Sequence, residues 1–331
     1  MVSDLLLPLL RQSFWLCVGL AGLAAVANGS EPLYKIEPGP YETRSIDELT
    51  LNDAVQDRDV TLRLLYPDGN GPFPVVVYST GAFCWPQMYD RVTTHWVSHG
   101  YVVLAPNHID SPNNAEPPRP DQFANFLPSR MRDVSFVVDA LAQIGQRAGI
   151  QGKIDEERIA IGGHSFGAVI AMIKTGLPLK DEYKGSWGDT YDARFQAAVL
   201  MSAPGPGMEQ MAANAHRGLR KPLMATGGTN DVGRVDPGDY PREDWRRVAY
   251  QLAPPGDKYS VILKDADHYL GGLICNPERG GKPDPDAVAI VRAMTTAFLD
   301  AYIKDDAAAL KFLKTADVSS LTNGRALAQH K

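Results

Sequence analysis

Near the middle of the chain stands the run Arg158-Ile-Ala-Ile-Gly-Gly-His-Ser-Phe-Gly-Ala-Val-Ile-Ala-Met-Ile-Lys174. Arg158 to Gly162 is a short apolar run of the kind buried on both faces of a parallel sheet, and it predicts a core strand. Phe166 to Lys174, rich in small and apolar residues, predicts a helix. Between them Gly163-His164-Ser165-Phe166-Gly167 fits G-x-S-x-G, a sharp strand-to-helix turn that leaves a serine hydroxyl standing above the sheet. The bare pattern is common, and the strand before it and the helix after it are what give it weight. Ser165 is therefore the expected nucleophile, against the plainer reading of a glycine-rich helix entry carrying a surface serine.

Similar strand signals lie on either side of the run. Asp59–Tyr66 alternates in part and ends in the turn-rich Pro67–Pro72, which suggests a starter hairpin. Pro74–Tyr78, Tyr101–Ala105, Phe195–Met201, Pro222–Thr226 and Tyr259–Leu263 read as further strands. Helices are expected over Gln87–Ser98, over Ser129–Ala148, where Met131, Val134, Val138, Leu141 and Ile144 recur every three or four residues, and over Asp286–Ile303. Pro106–Pro128 reads as loop because five prolines fall between 112 and 128. Strands alternating with helices predict an α/β fold, a mostly parallel central sheet with helices on both faces.

With 44% hydrophobic and 22% charged residues the chain has ample core material. Its 39 acidic against 33 basic residues, with no lysine or arginine run, argue against nucleic acid as a partner. Arg11, the uncharged Phe14–Ala27 and the closing Ala25-Val26-Ala27 read as an export signal over residues 1–27, cleaved near Ala27, for secretion or the periplasm. That stretch is short for a bilayer core of about 30 Å, and no other segment reaches about 18 apolar residues, so stable membrane insertion of the mature protein is not expected. The organisation read from the chain is a signal (1–27), a mobile lead-in (28–40), one catalytic domain (41–314) and a peripheral tail (315–331). Cys84 and Cys275 remain after export. They form one disulfide or stay reduced, and without a CxxC pair no metal site is expected.

Attack by a serine on an ester carbonyl requires donors for the developing oxyanion. The Phe166 N–H, at a helix start with no intrahelical acceptor, is one. The turn Ser79-Thr-Gly-Ala-Phe83 supplies the second, with Ala82 N–H preferred over Phe83 N–H. Of seven histidines, His268 follows the last core strand in a polar loop and is the expected base, with His108 as its rival. The rigid elbow is expected to point the His164 side chain elsewhere. Asp231, one strand earlier, is the expected acid, with Asp236, Asp239 and Asp244 as rivals. Asp265 and Asp267 read as solvated loop residues. The order Ser165, Asp231, His268 is that of a serine hydrolase on such a sheet.

These residues resemble bacterial serine α/β hydrolases of the dienelactone hydrolase and platelet-activating-factor acetylhydrolase type, and more distantly cutinase-like polyesterases. The resemblance runs over about residues 39–314, through Val75–Ala82, Ser98–Pro106, Arg132–Leu141, the Gly163–Gly167 elbow and Phe298–Tyr302. It implies the same triad and oxyanion donors. Thr80-Gly81 stands where relatives carry His-Gly, and Ser165 where dienelactone hydrolases use cysteine. Met201–Pro206 lacks the tryptophan of the polyesterases, which argues against an aromatic clamp.

The expected activity is cofactor-free hydrolysis of small or medium apolar or aryl esters through an acyl-enzyme. Phe83, Trp85, Tyr269 and Leu270 are the expected substrate contacts, with Phe166 beside the nucleophile. The alternatives are a lipase or phospholipid esterase with a lid in Pro106–Pro128 or Gly205–Ala215, and a polyesterase.

Overall fold

The computed structural model describes residues 33–183, 190–205, 208–232 and 242–331. The export segment 1–27, the start of the lead-in, part of the second lid segment and the rival acids Asp236 and Asp239 lie outside those residues. The continuous apolar runs form strands β3 (Phe73–Ser79), β4 (Val102–Pro106), β5 (Ile154–His164), β6 (Phe195–Met201), β7 (Leu223–Gly228) and β8 (Lys258–Leu263). Every residue of β3, β4, β7 and β8 is buried, because helices cover both faces. These six strands pair in parallel in the order β4-β3-β5-β6-β7-β8. Antiparallel β1 (Thr43–Asp53) and β2 (Arg58–Pro67) extend one edge and β9 (Ala326–His330) the other.

The α-helices among the described residues are α1 (Asp90–Ser98), α2 (Phe123–Asp139), α3 (Leu141–Ala148), α4 (Phe166–Lys174), α5 (Val248–Leu252), α6 (Pro285–Ile303), α7 (Ala307–Thr315) and α8 (Val318–Leu321), and four short 3-10 turns join them. Leu127, Met131, Val134 and Val137 of α2 join Val169, Ile170 and Ile173 of α4 in a core on one face. Trp96 of α1 joins Val291, Met294 and Phe298 of α6 in a second core on the opposite face. The result is the α/β architecture expected from the alternation. No described helix is long and apolar enough to cross a membrane.

Four sequence expectations change. The hairpin is β1–β2, closed by the turn at residues 54–57, whereas β3 lies beyond β4, so Pro67–Pro72 leads away from the hairpin. Helix α2 starts at Phe123 and contains Pro128, which forfeits only one bond, to the carbonyl of Ala124 in the first turn. The expected single helix to Ala148 breaks at Ala140 into α2 and α3. The tail is not peripheral: β9 pairs with β8 from Leu263↔Ala326 to Tyr259↔His330, and Val318 and Ala326 are buried. The described part of the lead-in is also fixed, with Leu33 buried, Tyr34 Oη donating to Asp300 at 3.0 Å and Lys35 Nζ 2.5 Å from the same carboxylate.

Candidate active site

Parallel strands place their C-terminal ends, and the loops that follow them, along one edge of the sheet. The loops after β3, β5, β7 and β8 meet there. At the end of β5 the chain enters α4 through Ser165 at φ 53° and ψ −115°, a left-handed backbone that presents the hydroxyl outward. The elbow fits against β3 because residue 167 is glycine: a Cβ there would lie 1.9 Å from the Ser79 carbonyl oxygen.

Ser165 Oγ lies 2.9 Å from His268 Nε2, and His268 Nδ1 lies 2.8 Å from Asp231 Oδ1. Asn230 N–H donates to the Ala266 carbonyl at 3.1 Å, tying the acid loop to the base loop. Burial works to raise the Asp231 pKa. The hydrogen bond from His268 and the nearby Arg246 guanidinium outweigh it and hold the group at about 2. An ionised Asp231 accepts from Nδ1–H, which leaves Nε2 unprotonated toward the Ser165 hydroxyl. Arg246 Nη2 stands 3.1 Å from His268 Nδ1, but two N–H groups cannot bond each other; both point at Asp231 Oδ1.

The turn after β3 is anchored residue by residue. Gly81 N–H donates to Tyr89 Oη at 2.9 Å, Phe83 N–H to Asp110 Oδ2 at 3.1 Å and Cys84 N–H to the Gly81 carbonyl at 3.2 Å. Among the described residues the Ala82 and Phe166 N–H groups have no acceptor, whereas the alternative donor, Phe83 N–H, is occupied.

His164 does not point away from the site. Fully buried, it lies 2.9 Å from the His268 carbonyl through Nε2 and 3.0 Å from Tyr89 Oη through Nδ1. A carbonyl only accepts, so Nε2 carries the proton and Nδ1 accepts from Tyr89, whose oxygen in turn accepts from Gly81 N–H. Burial pushes the His164 pKa well down, so the ring stays neutral. The relay joins the turn after β3 to the loop that carries His268. Asp267, read as a solvated residue, instead shapes the base loop by accepting from the N–H groups of Tyr269, Gly271 and Gly281.

His108 occupies a second Ser-His-Asp series, with Nε2 2.9 Å from Ser79 Oγ and Nδ1 2.7 Å from Asp133 Oδ2. All three residues are buried, Asp133 is also paired with Arg58, and none of them lines the cavity over Ser165, so this series braces the sheet edge. Asp244 pairs with Arg247 at 2.9 Å.

A cavity of about 380 Å³ opens over Ser165 and His268, walled by Phe83, Pro204, Val232, Trp245, Tyr269 and Arg279. Of the expected substrate contacts, Phe83 and Tyr269 line this cavity. Trp85 instead lines a neighbouring cavity with Met88 and Leu273, and Leu270 is buried in the core, its side chain turned inward at φ 50°. Phe166 packs beneath the Arg130 guanidinium, 4.8 Å from the ring centroid. Cys84 and Cys275 form a disulfide across 5.4 Å between Cα atoms, linking the oxyanion turn to the loop after His268. Arg246, Arg130, Tyr89 and Trp245 have no sequence signal as site residues. Each comes from a helix, a helix approach or a polar segment whose periodicity says nothing about the loop it reaches.

A chlorophyllase family model matches residues 34–178, a stretch that includes the oxyanion turn and the elbow and ends before Asp231 and His268. No curated protein matches the chain. The match names chlorophyllase rather than the dienelactone hydrolase or acetylhydrolase groups. Together with the fold it supports a serine-hydrolase-type α/β hydrolase acting on esters.

Proposed function

We propose that the protein hydrolyses small or medium carboxylic esters with an apolar or aryl group, through an acyl-enzyme on Ser165. The observation that carries this reading is the Ser165–His268–Asp231 hydrogen-bonded series facing an open cavity with two unengaged N–H groups beside it. Ser165 Oγ attacks the acyl carbonyl as its proton passes to His268 Nε2. The oxyanion accepts from Ala82 and Phe166 N–H, and the alcohol leaves with the proton from Nε2. Water, deprotonated by the same nitrogen, releases the acid and restores the hydroxyl.

A lipid-like ester is the second reading. Phe83, about half exposed on the cavity wall, packs edge-on against Phe123, itself about half exposed, and against Phe126. An exposed aromatic cluster beside a nucleophile suits a long apolar chain or an aggregated substrate. Export through residues 1–27 is part of the proposal, and the Cys84–Cys275 disulfide supports an oxidising destination.

A fluorophosphonate probe followed by peptide mapping tests the reading. Labelling is expected at Ser165 in the wild type and absent in Ser165→Ala, with turnover of para-nitrophenyl esters lost in parallel. Folded wild-type protein that neither takes the label nor cleaves short esters would sink it.

A further inference from the structure

Arg130 lies in the middle of α2 with no exposed surface, and all its polar contacts go to the oxyanion side of the cavity. Its Nη1 donates to the Thr80 carbonyl at 2.5 Å and its Nη2 to the Gly81 carbonyl at 2.9 Å. Nε and Nη2 bind the two oxygens of Asp110, each at 2.7 Å, and Asp110 Oδ2 also accepts from Phe83 N–H. The guanidinium stacks on the ring of Phe166.

The Gly81 carbonyl belongs to the same peptide unit as the Ala82 N–H. In a planar trans peptide the two point in opposite directions, so a cation fixed on the carbonyl fixes the N–H away from it. The only cis bond among the described residues is Gly71-Pro72. A hydrogen bond at the carbonyl also polarises the amide and strengthens its donor. The second donor has a matching arrangement. The Ser165 carbonyl, in the peptide unit that carries Phe166 N–H, accepts from Ala168 N–H at 3.0 Å and Val169 N–H at 3.3 Å. The Gly81 carbonyl likewise accepts twice, from Arg130 and from Cys84 N–H. What the helix does for one donor, Arg130 does for the other.

We infer that Arg130, held by Asp110, is the positioning residue of the oxyanion hole: it orients and polarises the Gly81–Ala82 peptide and packs against Phe166, which carries the other donor. The inference rests on the ester-hydrolase reading. Arg130 touches no reacting atom, so its effect falls on the transition state rather than on substrate binding.

Three variants test it. Arg130→Lys keeps a charge opposite Asp110 but cannot span two carbonyls and a carboxylate. Arg130→Met with Asp110→Asn removes the buried pair together, so no charge is left stranded. Asp110→Asn alone keeps the guanidinium. Steady-state kinetics, affinity for an arylboronic acid that forms a tetrahedral adduct on Ser165, and thermal melting are measured for each. In the first two, kcat is expected to fall about tenfold to a hundredfold, with boronate affinity falling in step. KM should stay within about twofold, and Asp110→Asn should lie between these and the wild type. A folded Arg130→Lys or double variant with wild-type kcat and boronate affinity would overturn the inference. So would a melting temperature that falls while boronate affinity does not, or failure of all three to fold, since Arg130 would then serve the fold alone. Failure of the ester-hydrolase reading is separate: it shows as wild-type protein that leaves Ser165 unlabelled by the fluorophosphonate.

Discussion

Arg246 Nη2 stands 2.7 Å from Asp231 Oδ1, the same oxygen that accepts His268 Nδ1–H at 2.8 Å. The acid therefore divides one lone-pair region between the base and a buried cation. Arg246 also donates to the Ser202 carbonyl at 2.9 Å and the Asp231 carbonyl at 3.2 Å, joining the loops after β6 and β7. Its contribution is to place the carboxylate, at the cost of competing for its charge. Asp231→Asn should lower kcat by about 10³ to 10⁴, through loss of the tautomer that frees Nε2. Arg246→Ala should cost only about tenfold, because Asp231 keeps its bond to His268. Steady-state kinetics on a short ester checks both. Equal losses in the two variants would show that Arg246 does more than position the acid.

Much of this was legible in the sequence, for a physical reason. Strands buried on both faces must be apolar throughout, so β3 to β8 announce themselves, and a left-handed serine between a strand and a helix needs the small neighbours that G-x-S-x-G provides. Strand β1 did not, because Thr43–Asp53 lies at an open edge where only Leu49, Leu51 and Asp53 are buried. Nor did Arg130, whose place in α2 reads as the polar edge of a helix; its partners Thr80, Gly81 and Asp110 are tertiary neighbours that no periodicity connects. Trp85 and Leu270 show the converse error. Adjacency to a site residue along the chain does not fix the direction of a side chain, and both turn away from the cavity.

The disulfide closes a loop of 191 residues. On the chain-entropy account such a link stabilises by about 5 kcal/mol, a ceiling that native-state strain reduces. Cys84 lies two residues from Ala82, and Cys275 borders the cavity, so its loss should loosen the oxyanion turn against the base loop before the sheet melts. Cys84→Ser with Cys275→Ser is expected to lose activity on warming several degrees below the temperature at which far-ultraviolet circular dichroism changes. Coincident loss of activity and secondary structure would contradict this local role.

Acid should destabilise the fold well above the carboxylate range. His216 is buried with Nε2 unpartnered, and burial lowers its pKa to about 4; His95 is lowered to about 4 by burial and by its neighbour His99. An unfolded histidine takes its proton near pH 6.5. As pH falls below that value the unfolded chain binds protons that the folded chain refuses, so stability drops between about pH 6.5 and 4. His216 contributes a slope of up to about 1.4 kcal/mol per pH unit. Asp231, with its pKa depressed to about 2, adds a further loss only between about pH 4 and 2. Urea midpoints for wild type and His216→Gln at pH 7, 5.5 and 4.5 should show a shallower decline in the variant. Parallel declines would remove His216 from the account.

Met201–Pro206 carries no tryptophan, yet an indole lies against that segment. Trp245, from the approach to α5, lines the cavity beside Pro204, and its ring is so close to Gly205 that a Cβ there would come within 2.8 Å of it. An aromatic wall is therefore supplied from a distant part of the chain, and glycine at 205 is what admits it. Trp245→Ala should deepen the cavity, so the optimal acyl chain of a para-nitrophenyl ester series should lengthen by several carbons. A buried indole removed from a core costs about 3 to 5 kcal/mol, so the comparison belongs well below the melting temperature. Gly205→Ala works in the opposite sense: the new methyl pushes the ring toward Ser165, raising KM for long or branched acyl groups while leaving acetate esters little affected. Opposite shifts of the chain-length profile in the two variants are the expected result. Identical profiles in both would mean that the acyl group lies along Phe83 and Tyr269 and does not reach the indole.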